Sequence, residues 1–216
     1  MYLSSQGLGD SPELLRHLNP EATHALIILN ALDPYPSARQ GAFINESTGL
    51  SALGYECQEL DLRHYFQSDA GARSELTEHL RKTDLVWVAG GNTFVLARAM
   101  QQSSFKSALL QANLELEIAQ SPSLIYGGYS AGAVVVGPDL QGIHLMDDRR
   151  VIPAGYQQDT EALTLGFIDD RIVPHYQSDN PESGHAQKAV DYLEHRKLKY
   201  RTMSDGDTWI THTGKQ

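Results

Sequence analysis

Cysteine is almost missing from this chain. Among 216 residues there is one, Cys57, so no disulfide can close within the chain and no cysteine zinc cluster can form. That usage fits a reducing compartment. Basic residues are also short: 17 Lys and Arg stand against 27 Asp and Glu. A net charge of −10 argues against nucleic acid or an anionic membrane as partner, because both call for a basic face. A small anionic ligand needs only one or two local cations and is not excluded. Long apolar runs are absent, and none approaches the roughly 20 residues that span a bilayer. The N-terminal "MYLSSQGLGDSPELLRHL" lacks a basic start followed by an apolar core, so it does not read as a signal peptide. Internal repeats and low-complexity stretches are lacking too. Cytoplasmic residence is therefore expected, with neither membrane nor nucleic acid as partner.

What is present is a soluble composition, 41% hydrophobic and 20% charged, in a chain long enough for one sizeable core. A single domain over residues 1–216 is expected. Short apolar segments alternate with helix-like ones. "HALIILNAL" (24–32) and "DLVWVAGG" (84–91) are continuous apolar runs, as in strands covered on both faces. "ECQELDL" (56–62), "SLIYGGYS" (123–130) and "FIDDRIVPHY" (167–176) hold further strands. From Asn92 to about Gln120 apolar residues recur at helical spacing, with Asn92 or Thr93 as cap. "PESGHAQKAVDYLEHRK" (181–197) reads as a helix, and "KYRTMSDGDTWITH" (199–212) as two strands around a turn at Asp205–Gly206. This alternation predicts an α/β fold, a doubly wound and mostly parallel sheet with helices on both faces. Ligands bind such sheets beyond the carboxyl ends of their strands. Chemistry is expected just after "VAGG", "YGGYS" and "IVPHY", with the stretch 137–166 as a long excursion nearby.

Gly128-Tyr129-Ser130-Ala131-Gly132 has the G-x-S-x-G pattern of a nucleophile elbow. A sharp strand-to-helix turn lifts the serine hydroxyl clear of the sheet, and flanking glycines allow the close backbone approach. The same pattern also describes a plain turn whose serine caps the following helix. A nucleophilic serine needs a base. His175 ends an expected strand and would reach the same sheet edge; His144 and His185 are rivals in the site region. "VAGGNTFVL" (88–96) puts two glycines and then Asn92 and Thr93 at a helix start, which makes a cradle for an anion or an ordinary helix cap.

Taken in order, "AGGNTFVL", "GGYSAGAVVVGP" and "VPHY" resemble the peptidase E family of serine peptidases, which includes aspartyl dipeptidases and is related to cyanophycinases. "MYLSSQG" and "SDGDTWI" are similar to that family's first strand and penultimate hairpin, so the resemblance covers most of the chain. It implies a class I glutamine amidotransferase-like fold with the nucleophile on an elbow. Those relatives use cysteine, and Cys57 lies far from the elbow, so amidotransferase chemistry is not expected. By resemblance Ser130 is the nucleophile and His175 its base. The N–H groups of Gly91 and Ala131 form the oxyanion hole, and Asn92 helps hold the substrate. The family places an acid between serine and histidine. Asp147, 17 residues past Ser130, is expected to orient His175, with Asp148 or Glu161 as alternatives and a solvated loop charge as the plain reading.

These expectations describe a serine peptidase acting on short peptides, by family likeness dipeptides with an N-terminal aspartate. The alternatives are an esterase or amidase with the same residues, or a binding module without a working triad. The family's substrate-reading cation has no arginine counterpart in "PESGHAQKAVDYLEH"; Lys188 is nearest, with Arg149, Arg150 and Arg171 as other candidates. No metal-ligand spacing stands out, so neither metal nor cofactor is expected. A small peptide is the expected ligand, and the family implies a monomer or homodimer.

Overall fold

The computed structural model describes residues 1–66, 70–159 and 161–212. The chain enters its main sheet at once with β1 (Tyr2–Ser4), buried along its whole length. Helix α1 (Glu13–Leu18) leads to β2 (His24–Ile28), then α2 (Pro36–Ala52) starts on a proline. Proline suits a first helical turn, because its fixed φ is helical and its missing N–H has no partner there anyway. Next come β3 (Glu56–Glu59), α3 (Ala70–Arg81) and the fully buried β4 (Leu85–Val88). The helical pattern from Asn92 to Gln120 becomes two helices, α4 (Thr93–Gln102) and α5 (Phe105–Ile118). They part where Ser104 takes a left-handed φ of 57°, which a continuing helix does not allow. Strand β5 (Ile125–Tyr129) turns into α6 (Ala131–Val134). A mostly irregular stretch then leads to β6 (Arg171–Val173), α7 (Ser183–His195), β7 (Tyr200–Thr202) and β8 (Thr208–Ile210).

The main sheet runs β3-β2-β4-β5-β1-β8, and every neighbouring pair is parallel except β1–β8. The expected α/β architecture is present. Side chains of β4 alternate between two cores, as a strand's period of two requires. Val86 and Val88 pack with α3, α4, α5 and α6, whereas Leu85 and Trp87 pack with α1 and α2. No helix among the described residues is long and apolar enough to cross a membrane.

Two local expectations change. β6 does not join the main sheet; it pairs in parallel with β7 in a separate two-stranded sheet. The strands on either side of Asp205–Gly206 therefore do not form a hairpin. β7 belongs to the small sheet, while β8 pairs antiparallel with β1. The turn between them carries the chain from one sheet to the other. An Asp-Gly turn does not record this, because which sheet each strand joins over the connection 203–207 is set by tertiary packing.

The elbow glycine sets how closely α6 can lie on the sheet. A Cβ on Gly132 would fall onto the carbonyl oxygen of Val88, with nowhere for rigid backbone to retreat. Gly132→Ala should therefore cost about 1–3 kcal/mol. Gly184, in α7, has open space around its Cβ direction, so Gly184→Ala should gain up to about 1 kcal/mol. Urea unfolding of both variants checks the contrast; equal midpoints would contradict the close contact.

Candidate active site

Ser130 sits between β5 and α6 with φ 48° and ψ −115°. A non-glycine residue held there costs about 1–3 kcal/mol, so its surroundings must enforce it. Its N–H donates to the Ser4 carbonyl of β1 at 3.2 Å, and its own carbonyl accepts from the N–H groups of Ala133 and Val134 at 3.0 and 2.9 Å. The buried Tyr126 hydroxyl donates to the Gly132 carbonyl at 2.7 Å. Below the turn, Glu46 accepts from Tyr129 Oη and Trp87 Nε1, each at 2.8 Å. The Ser130 side chain caps nothing in α6. Its hydroxyl lies 3.1 Å from His175 Nε2 instead. The cap reading of the elbow is thereby excluded.

His175 is buried and also has a left-handed φ, 60°. Its backbone N–H donates to Ser5 Oγ at 2.8 Å. Its Nδ1 lies 2.7 Å from Asp205 Oδ1. With Nδ1–H donated to that carboxylate, Nε2 keeps a lone pair for the Ser130 hydroxyl. Asp205 is well held: Ser5 Oγ donates to Oδ1 at 2.8 Å, Asn180 Nδ2 to Oδ2 at 2.8 Å, and its own N–H donates to Ser178 Oγ at 2.7 Å. Burial alone would raise its pKa. The bonds from Asn180, Ser5 and His175 outweigh that and hold it below the usual carboxylate range.

Asp147 therefore does not meet His175 Nδ1 as expected, because Asp205 already occupies that position. The Asp147 carboxylate accepts from the Thr93 N–H at 2.8 Å, at the start of α4. Burial raises its pKa, against the lowering effect of the Thr93 bonds and of His175. Asp148 turns away to Arg150 at 2.9 Å. Asn92 also has another job than the one expected. It is 1% exposed; its Oδ1 accepts from Phe94 and Val95 N–H, at 3.0 and 3.1 Å, and its Nδ2 donates to the Asp148 carbonyl at 3.1 Å. Those bonds cap α4 and pin the excursion loop, and Asn92 does not line the cavity beside Ser130. Of the rival histidines, His144 packs edge-on against Tyr192 and His185 pairs with Glu182 at 3.6 Å.

Gly91 lines the cavity beside Ser130. Its φ of 133° and the Ala31 carbonyl against its Cβ direction both demand glycine. Ala131 begins α6, so its N–H has no partner within that helix. The cavity at the carboxyl ends of β4 and β5 is about 420 Å³. Pro174, His175 and Asn180 close one wall, and Ile143, Met146 and Asp147 from the excursion loop close another. A hydroxyl, an imidazole and a carboxylate in line beside such a cavity can carry out nucleophilic acyl transfer.

Sequence reasoning missed Asp205, Asn180 and Ser5. Asp205 was visible only as the first residue of an Asp-Gly turn, where turn chemistry already accounts for it. Its place beside His175 follows from the pairing of β7 with β6, the strand that delivers His175, and no sequence pattern records that pairing.

The sequence profile of peptidase family S51 matches residues 35–216. The chain is 33% identical over 65% of its length to an uncharacterized peptidase of Listeria monocytogenes, covering 60% of that relative. It is 36% identical over half its length to a probable alpha-aspartyl dipeptidase of Drosophila melanogaster, covering 39% of that relative. It thus spans under two thirds of the length of the curated relatives it matches. A crystal structure from Listeria monocytogenes, of a protein assigned to peptidase E, superposes with a TM-score of 0.73 at 23% identity. That match covers 99% of this chain and 94% of the other, and it shows a shared fold.

The raised pKa of Asp147 has a consequence for stability. Ionising it costs more in the folded than in the unfolded chain, so the penalty is full above its folded pKa and absent below about 3.8. Asp147→Asn can keep the bond from Thr93 through its amide oxygen. We expect it to raise the melting temperature at pH 7, with the gain shrinking as pH falls toward 3.8. Calorimetric melts across that range check the sign; a lower melting temperature at pH 7 would contradict it.

Proposed function

This chain belongs to peptidase family S51, and from that premise we infer that it is a serine hydrolase that cleaves short peptides with Ser130 as nucleophile. One observation carries the reading: the unbroken hydrogen-bonded line Ser130–His175–Asp205. Ser130 Oγ attacks the scissile carbonyl carbon while His175 Nε2 takes its proton. Asp205 keeps the ring in the required tautomer and stabilises the imidazolium. The carbonyl oxygen, now negative, receives the N–H groups of Gly91 and Ala131. The C–N bond then breaks, and the leaving amine takes the proton from His175. Water repeats the sequence on the acyl-enzyme, with His175 again as base, and releases the acid and the free Ser130 hydroxyl.

Asp205 fills the third position in this reading in place of Asp147. A non-catalytic binding module, the alternative without a working triad, loses its support, since His175 has a carboxylate partner in Asp205. The small cavity favours short peptides over folded proteins. A single, half-buried Cys57 is consistent with action in the cytoplasm.

In a dipeptide panel, Ser130→Ala should lose at least about 10⁴-fold in kcat, and Asp205→Ala about 10³–10⁴-fold. A serine-reactive phosphonate should label wild type at Ser130 and leave Ser130→Ala unlabelled. Equal cleavage by wild type and Ser130→Ala would rule the reading out.

A further inference from the structure

Asp147 is a carboxylate the acyl-transfer chemistry does not use. It lines the same cavity as Ser130, and so does Glu182. No lysine or arginine lines that cavity among the described residues. The cations considered from sequence are turned elsewhere or exposed. Arg171 Nε donates to Asp139 at 2.7 Å, Arg150 pairs with Asp148 at 2.9 Å, and Arg149 and Lys188 are exposed and outside the cavity wall. His175, the other titratable group with basic character on the wall, is committed to Ser130 and Asp205.

We propose that Asp147, assisted by Glu182, is a specificity-determining residue that receives a cationic group of the substrate, so that the cavity disfavours peptides beginning with an acidic residue. This rests on the peptidase reading above and narrows its substrate class. A carboxylate offers about four acceptor positions on its two oxygens. Thr93 supplies Asp147 with its backbone and side-chain donors, which leaves acceptor capacity toward the cavity. Burial keeps the charge poorly compensated, as its raised pKa reflects. An ammonium or guanidinium entering the cavity meets that need, whereas a substrate carboxylate would face two like charges, Asp147 and Glu182, with no lysine or arginine among the described residues on the wall between them. The cation has two sources, a lysine or arginine side chain or the peptide's own α-ammonium. The chemistry at Asp147 is the same for both.

Binding to Ser130→Ala, which cannot turn over, tests the proposal by calorimetric titration with Lys-Leu, Leu-Leu, Asp-Leu and N-acetyl-Lys-Leu. Lys-Leu should bind at least about tenfold tighter than Asp-Leu, and adding Asp147→Asn should weaken Lys-Leu by at least about tenfold. If Leu-Leu is unaffected and N-acetyl-Lys-Leu still binds, the side chain supplies the cation. If Leu-Leu weakens equally and acetylation abolishes binding, the α-ammonium supplies it. Glu182→Gln, at an exposed position, provides a second variant should Asp147→Asn fail to fold; it should weaken Lys-Leu about two- to fivefold, the scale of an exposed ion pair. Asp-Leu binding as tightly as Lys-Leu, Lys-Leu binding untouched by both substitutions, or no binding of any peptide would overturn the proposal. Wild-type turnover of the same peptides is read separately. The charge preference without cleavage would sink the peptidase reading alone, and cleavage led by Asp-Leu would sink the specificity proposal alone.

Discussion

The 2.7 Å contact between His175 Nδ1 and Asp205 Oδ1 joins segments that lie 30 residues apart in sequence, and a third segment supports both. Ser5, directly after β1, accepts from the His175 N–H and donates to Asp205. β1 is parallel to β5, with Ser4 opposite Tyr129, and antiparallel to β8, with Ser4 opposite Thr208. That register sets Ser5 beside the elbow on one side and beside the Asp205 turn on the other. A slip of one residue would turn the alternating side chains of β1 to the opposite face and break the arrangement. A three-residue strand thus aligns the base with the nucleophile.

The reacting residues are held in backbone conformations that most side chains avoid. Ser130 and His175 both have φ near 50–60°. Each is pinned by its own backbone bond, Ser130 N–H to Ser4 and His175 N–H to Ser5. Strain of this kind persists only where surrounding structure over-determines it. Here that structure is the Gly132–Val88 contact, the Tyr126 bond to the Gly132 carbonyl, and the Glu46 bridge beneath Trp87 and Tyr129.

Much of this was legible in the sequence. Apolar runs such as "LVWV" marked buried parallel strands because both faces of the sheet are covered. The elbow was legible because its geometry demands glycine at fixed positions, and His175 because it follows an apolar strand. The helix break at Ser104 was not legible, since serine commonly sits inside helices and only the packing of α4 and α5 calls for a left-handed residue there. Asn92 was legible as a helix cap but also read as a substrate contact; it is buried at the start of α4 and does not line the cavity. Asp205 escaped because its partner depends on β7 leaving the main sheet, a tertiary choice that neither strand propensity nor turn chemistry records. Asp147 looked right by chain order, which carries no distance information.

Two carboxylates near Ser130 are shifted in opposite directions. Asp205 is drawn down by bonds from Asn180, Ser5 and His175, and Asp147 is pushed up by burial. The first suits a permanent partner for an imidazolium, the second a group that waits for a cation from outside. The most direct test of this division is the proton NMR resonance of His175 Nδ1–H. A strongly deshielded signal that survives Asp147→Asn and disappears in Asp205→Asn is the expected result. Loss of the signal in Asp147→Asn with its persistence in Asp205→Asn would contradict it.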